Sequence, residues 1–198
     1  MRDVSYTEEG RPTRERVLDA VFAMVAKGGI GEASLRKVAD ESGVNIGSVR
    51  HYFGSHSGLL RAAADEVGSR MELRLKEARD KAALDTIEGR RGYVEAVALA
   101  LLPSAEAPLD DHIVLVEFIS AARVLPELRD AAAQMGRDMR SVVAEALSSA
   151  GIDDVDFQTE RLVALIDGLT FELVYPHGIE GVQRTRDILR GHIRTFVT

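Results

Sequence analysis

The chain is predicted to be all-α, with a small three-helix head joined by one long helix to a larger helical body. Three observations predict this. Apolar residues recur at three- and four-residue spacing from Val17 to Phe196, and no stretch alternates with the period of two that a half-buried strand needs. Glycine and proline punctuate these runs at Gly28, Gly43, Pro103, Pro126, Gly151 and Pro176. Both end helices, glycine by reaching left-handed φ and proline by lacking an N–H. Finally, 45% of the 198 residues are hydrophobic and none is cysteine. The core must therefore come from packed side chains, without disulfides or thiolate-bound metal.

Residues 1–11 are polar and aperiodic and are expected to form a disordered tail. Pro12 suits the first turn of a helix in which Val17, Leu18, Val21, Phe22, Met24 and Val25 make a wide apolar face. A second helix follows, capped by Ser34, with Leu35, Val38 and Ala39 on one side and Gly43 at its end. Asn45 caps a third, whose Ile46, Val49 and Phe53 face inward. Two short helices joined by a turn of about four residues containing glycine make a helix-turn-helix. Residues 12–56 are thus expected to be one domain and residues 57–198 a second.

The long helix is expected to start at Ser55 and run to Lys81, followed by a connection over 82–92 that contains Gly89 and Gly92. Residues 93–102 are apolar almost all round, and Ser104–Ala107 reads as a loop. Asp110 or Asp111 caps a helix whose residues 113–125 are apolar around most of its circumference, as inside a bundle. Pro126 opens the next helix, where Leu128, Ala132, Met135, Met139, Val142 and Ala146 step by four and three. Asp156 is expected to cap a helix that ends at Tyr175–Gly178. Val182, Leu189, Ile193 and Phe196 stripe the last helix opposite Arg184, Arg186, Arg190 and Arg194.

The net charge is -7, with 25 Lys/Arg against 32 Asp/Glu. Residues 1–56 carry eight of each sign, so the whole excess lies on residues 57–198. An acidic body directs a polyanion to the head alone. Catalytic patterns are missing. The five histidines (51, 56, 112, 177, 192) have no metal-binding spacing, and no nucleophile-elbow, phosphate-loop or dinucleotide glycine pattern occurs. Asp110-Asp111-His112 reads as a cap followed by a helix-start histidine rather than a metal site. No enzyme activity, metal or cofactor is expected. Without a leader-like N-terminus or an apolar run of about 18 residues, a cytoplasmic protein with no membrane segment is expected.

The outward face of the third helix points to a partner. Asn45, Gly47, Ser48, Arg50, His51 and Tyr52 are small, polar or basic, as a helix in a DNA major groove requires. Arg36, on the outer face of the second helix, has the planar fork that pairs with guanine O6/N7, and Ser48 and Arg50 are further candidate base readers. Lys37, His51, Tyr52, Ser55 and His56 are candidate phosphate contacts, with Ser34 beside them. The run from Gly43 to Leu60 resembles the recognition helix and following helix of the TetR (tetracycline-repressor) family. It matches at Gly43, Val44, Gly47, Ser48, Val49, Tyr52, Phe53, Ser55, Leu59 and Leu60. It departs where that family usually has Tyr, Lys and Glu, at Arg50, His56 and Gly58. The resemblance implies DNA contacts at the positions just named and a small-molecule effector cavity in the body.

Candidate effector contacts are the polar Glu117 and Arg123 (with Ser120) in the most apolar helix, together with Phe118, Met135, Met139, Phe171 and Tyr175. The helix bearing Leu162, Leu165, Ile166, Leu169 and Leu173 is apolar on a second side as well. It is expected to form, with Leu189, Ile193 and Phe196, a two-fold homodimer interface, with Gly168 and Gly191 allowing close approach. The expected function is effector-responsive repression at a palindromic operator in double-stranded DNA. An activator or a ligand-independent regulator is the nearer alternative. The more distant one, a helical binder or enzyme that does not read DNA, predicts Arg36 and Arg50 tied up in ion pairs.

Overall fold

The computed structural model describes residues 12–80, 84–103, 109–178 and 181–197. The tail expected over 1–11 and the loop expected over 104–107 lie outside them. Among the described residues every long element is an α-helix. By contacts the chain divides into two units. One comprises the described residues through Val67 with Ile113–Ala132, and the other Gly68–His112 with the described residues from Ala133 onward. This division does not follow the expected boundary at residue 56.

The first unit begins with α1 (Thr13–Gly28). It buries Val17, Leu18, Val21, Phe22 and Val25, a stripe at the helical period of 3.6. A single 3-10 turn, Ile30–Glu32, leads to α2 (Leu35–Ser42) and α3 (Ile46–Phe53). Ser34 Oγ accepts from Lys37 N–H, and Asn45 Oδ1 accepts from Gly47 N–H. Each cap satisfies a donor that the first turn of a helix leaves unpaired. Gly43 ends α2 at φ 64°, and Arg16 Nη2 donates to Ser42 O at 2.6 Å, closing the same end with a cation. α4 (His56–Arg79) starts in this unit, where Leu59, Leu60, Ala63, Ala64 and Val67 are buried.

α6 (Asp110–Ala122) places Val114, Phe118, Ala121 and Ala122 in buried positions. Glu117 Oε2 accepts from Ile30 N–H at 3.2 Å, and Arg61 Nη2 donates to Glu127 O. These long-range bonds tie Ile113–Ala132 to the N-terminal helices.

The second unit is a bundle of the rest of α4 with α5 (Ile87–Ala100), α7 (Arg129–Ser149), α8 (Val155–Val174) and α9 (Val182–Ile193). Its core contains Leu75, Val94, Val97, Leu102, Val143, Leu147, Leu162, Ile166, Leu189 and Ile193. Arg91 Nη2 donates to Val197 O at 2.9 Å, holding the last residues against α5. Several boundaries differ from expectation, and α6 takes Asp110 and Asp111 into its first turn rather than using either as its cap. α5 starts at Ile87, inside the expected connection, because Thr86 Oγ1 caps Gly89 N–H and outweighs the two glycines. α8 starts at Val155, leaving Asp156 in its first turn, where a carboxylate favours the helix dipole without capping it.

Candidate nucleic-acid interface

α2 and α3 expose one continuous polar surface. A concavity of about 510 Å³ opens between them, lined by Leu35, Arg36, Ala39, Asp40, Val44, Asn45, Ile46 and Arg50. Of these residues Ala39 and Val44 are buried. Arg36 and Arg50 are exposed and make no hydrogen bond or ion pair among the described residues. Two unpaired guanidinium groups in water cost little, and each keeps five donors for an acceptor from outside the chain. The reading in which the head is only a packing module requires these two arginines to be paired.

The other candidate residues divide by what their polar atoms already do. Ser34 Oγ and Asn45 Oδ1 are engaged as caps, which leaves the Asn45 amide N–H groups facing outward. Ser55 Oγ accepts from Gly58 N–H and lies 3.0 Å from Ser57 Oγ, shaping the first turn of α4. Lys37 Nζ is 2.6 Å from Glu32 Oε2, but both side chains are about half exposed, so a phosphate can displace the carboxylate at small cost. Gly47, His51 and Tyr52 are exposed, and the rings of His51 and Tyr52 meet edge-on at 5.7 Å. Ser48 and His56 are half-buried. Gly58 stands where the resemblance leads one to expect Glu. A Cβ there would collide with the carbonyl oxygen of Phe53.

Comparison with known proteins accounts for both parts of the chain. Residues 17–63 match the family of bacterial regulatory proteins, tetR family, and residues 90–198 match the BetI-type transcriptional repressor C-terminal family. The chain belongs to the TetR family of bacterial transcriptional regulators. It is 26% identical over 187 residues to PksA, an HTH-type transcriptional regulator of Bacillus subtilis strain 168, covering 92% of this chain and 89% of that one. Its fold matches a transcriptional regulator from Rhodococcus sp. Rha1 with a TM-score of 0.80 at 23% identity, over 93% of this chain and 95% of that one. It also matches a regulator from Saccharomonospora viridis solved with choline, with a TM-score of 0.73 at 21% identity, over 93% and 94% of the two chains. These families and relatives are transcriptional regulators rather than enzymes.

In this TetR-family chain the expected effector residues fall in both units. Glu117, Phe118 and Arg123 belong to the first unit, whereas Met135, Met139, Phe171 and Tyr175 belong to the second. Glu117 spends a carboxylate oxygen on Ile30 N–H, Phe118 is fully buried, and Arg123 and Ser120 are exposed. Phe171 and Tyr175 are also exposed, their ring centroids 5.2 Å apart and their planes tilted by 50°. Met135 and Met139 are half-buried, and Met139 packs against the bundle core.

The expected dimer residues need a correction. Leu162, Ile166, Leu169, Leu189 and Ile193 are buried within the single chain, and Leu165, Leu173 and Phe196 are half-buried. The first five fill the intrachain core and cannot be offered to another copy. α8 is apolar on two sides, and periodicity alone cannot tell which side meets the core. Its exposed row runs instead through Phe157, Arg161, Ala164, Gly168 and Phe171, again at four- and three-residue steps. Nothing lies within 4 Å of a Cβ built at Gly168 or at Gly191.

A site that the sequence missed lies at the start of α6. Asp111 is buried, with Oδ1 3.0 Å from Arg70 Nη1 and Oδ2 3.8 Å from Arg74 Nη1. His112 is fully buried, its Nε2 3.4 Å from Leu101 O. Burial first, then the adjacent Arg74 cation, lowers the His112 pKa from 6.5 to about 4, so its ring is neutral at physiological pH. The triplet at 110–112 was the only local signal, because its arginine partners lie 37 to 41 residues away.

Proposed function

We propose that this regulator is a repressor that binds a palindromic operator as a homodimer and leaves it when a small-molecule effector binds. The observation that carries the DNA reading is the pair of exposed arginines that line the α2–α3 groove and have no hydrogen bond or ion pair among the described residues. Arg36 and Arg50 offer bidentate donors to guanine O6/N7, and Asp40 between them is an acceptor suited to a cytosine amino group. Lys37, His51, Tyr52, Ser55 and His56, with the amides opening α4, hold the phosphates that fix register. The Asn45 amide and the Gly47 backbone approach the base edges, with Ser48 one turn behind.

The dimer reading rests on the exposed α8 row of Phe157, Arg161, Ala164, Gly168 and Phe171. Small residues in its middle and aromatic ones at its ends suit helix against helix across a two-fold axis. Two heads on such an axis read half-sites about 34–36 Å apart, or a multiple of that. An effector bound among the second unit's helices acts by shifting α4, which begins directly after α3 and so carries the recognition helix with it. A complete switch requires the effector to prefer one state by about 5.5 kcal/mol. Choline is bound by the Saccharomonospora neighbour, which makes a small polar molecule a fitting size of effector here.

The test is selection of bound sequences from random duplex DNA by the purified protein at about physiological salt. Enrichment of a two-fold symmetric sequence is expected. No enrichment, even from protein unfolded and refolded to remove ligand, would reject the reading.

A further inference from the structure

Arg74 carries a binding edge that no group among the described residues uses. The guanidinium carries five N–H donors, which form two double-donor edges, Nε/Nη2 and Nη1/Nη2. Nη1 faces Asp111, whereas Nε and Nη2, which share one edge of the fork, are buried and have no hydrogen-bond partner among the described residues. That edge is the one a carboxylate meets with two parallel N–H···O bonds. Beside it, His112 is fully buried and its Nδ1 is also unpartnered. Leu101 O can only accept, so Nε2 carries the ring hydrogen and donates to it, and in the neutral ring Nδ1 is then a bare acceptor. Buried polar atoms without partners are rare in folded proteins because each gives up water without compensation. Here three occur together, two donors and one acceptor.

We propose that this cluster of α4, the end of α5 and the start of α6 binds a small carboxylate that also carries a hydroxyl. The carboxylate lies along the Nε/Nη2 edge of Arg74, and the hydroxyl donates to His112 Nδ1. Asp111, with Oδ2 3.8 Å from Arg74 Nη1, offsets part of its charge. All these residues belong to the second unit, within Gly68–His112. A cation such as choline finds no acceptor on this edge, which consists of N–H donors alone. The inference rests on the effector reading above and gives the effector a chemical class, a hydroxy acid.

The experiment is calorimetric titration of the full chain with salicylate, lactate and 3-hydroxybutyrate, against benzoate, methyl salicylate and choline. At least one hydroxy acid is expected to bind, and salicylate to bind more tightly than benzoate or methyl salicylate if it is the aromatic acid that fits. Arg74→Lys keeps the charge and the Asp111 pair but removes the two-donor edge, and should weaken hydroxy-acid binding by about tenfold or more. His112→Gln should remove the preference for the hydroxyl, and thermal melting of both variants checks that they fold. Failure of all three acids to bind, or equal affinity in Arg74→Lys, would overturn the proposal. Operator affinity separates it from the wider reading. A hydroxy acid that binds through Arg74 without weakening operator binding leaves the site standing and sinks its effector role. Release of the operator by choline alone overturns the site and leaves effector control intact.

Discussion

Charge is buried in one unit of the molecule and kept outside in the other. Among the described residues of the first unit the buried polar side chains are the small hydroxyls Thr13 and Ser42, whereas the second unit buries Asp111, His112 and Glu172. The head buries no charged side chain among its described residues and sets its recognition groups on the outside, so packing and DNA reading can be altered separately. The bundle places polar groups in its interior, where each one affects stability and binding together. Substitutions should therefore separate into two functions in the head and fuse them in the bundle.

The largest test concerns α8, where the two sides of one helix should behave differently. Leu162, 1% exposed in the bundle core, should cost about 2–5 kcal/mol of unfolding free energy when replaced by Ala. Gly168→Arg, on the open side, should leave chain stability within about 0.5 kcal/mol but convert dimer to monomer in sedimentation velocity. Equal loss of stability from both would return α8 to a wholly internal role.

The next effect is a pH dependence confined to the bundle. The folded pKa of His112, about 4, lies below the ordinary 6.5, so as pH falls the unfolded chain takes up the proton first. The stability from keeping this ring neutral is complete above 6.5 and is lost as pH drops toward 4, to a limit of roughly 3 kcal/mol. Urea unfolding of the wild type and His112→Gln at about pH 7.5 and 4.5 should show the steeper decline in the wild type. Parallel declines would remove His112 as the cause. Asp167, whose carboxyl pKa is raised by burial, works in the opposite direction and is common to both proteins.

This contrast also explains what could be read from the sequence. Ser34, Gly43 and Asn45 announced the head because caps and left-handed turns are settled by neighbours two or three residues away. The arginines followed, since the outward face of a short helix is fixed once its inward face is known. The bundle was legible as helices but not as a site. Arg70 and Arg74 look like solvated charges on α4 until Asp111 meets them from 41 and 37 residues away. The apolar stripe of α8 was visible, but not which side of it the core would take.

A third test sharpens the head's independence. Restoring the family's usual residue by Gly58→Glu would ordinarily be expected to stabilise. Here its Cβ meets the backbone carbonyl of Phe53, and the first turn of α4 must shift. A loss of about 1–3 kcal/mol is expected, with operator affinity falling alongside because the same turn presents Ser55 and His56. A rise in melting temperature would show that the turn relaxes freely.

The smallest effect on stability should come from Lys37, and it is the most informative about DNA. Its pair with Glu32 has both side chains about half exposed, and such pairs contribute about 0–1 kcal/mol. Lys37→Ala should thus leave melting almost unchanged while weakening every DNA sequence alike and lowering the salt slope of binding by about one. Arg36→Ala, equally harmless to the fold, should instead cost about 1–3 kcal/mol on the operator and relax specificity at one base pair. Measuring both variants on operator and scrambled duplex across a salt series separates positioning from reading. Loss on both duplexes alike in Arg36→Ala would make Arg36 a phosphate contact and leave base recognition to Arg50.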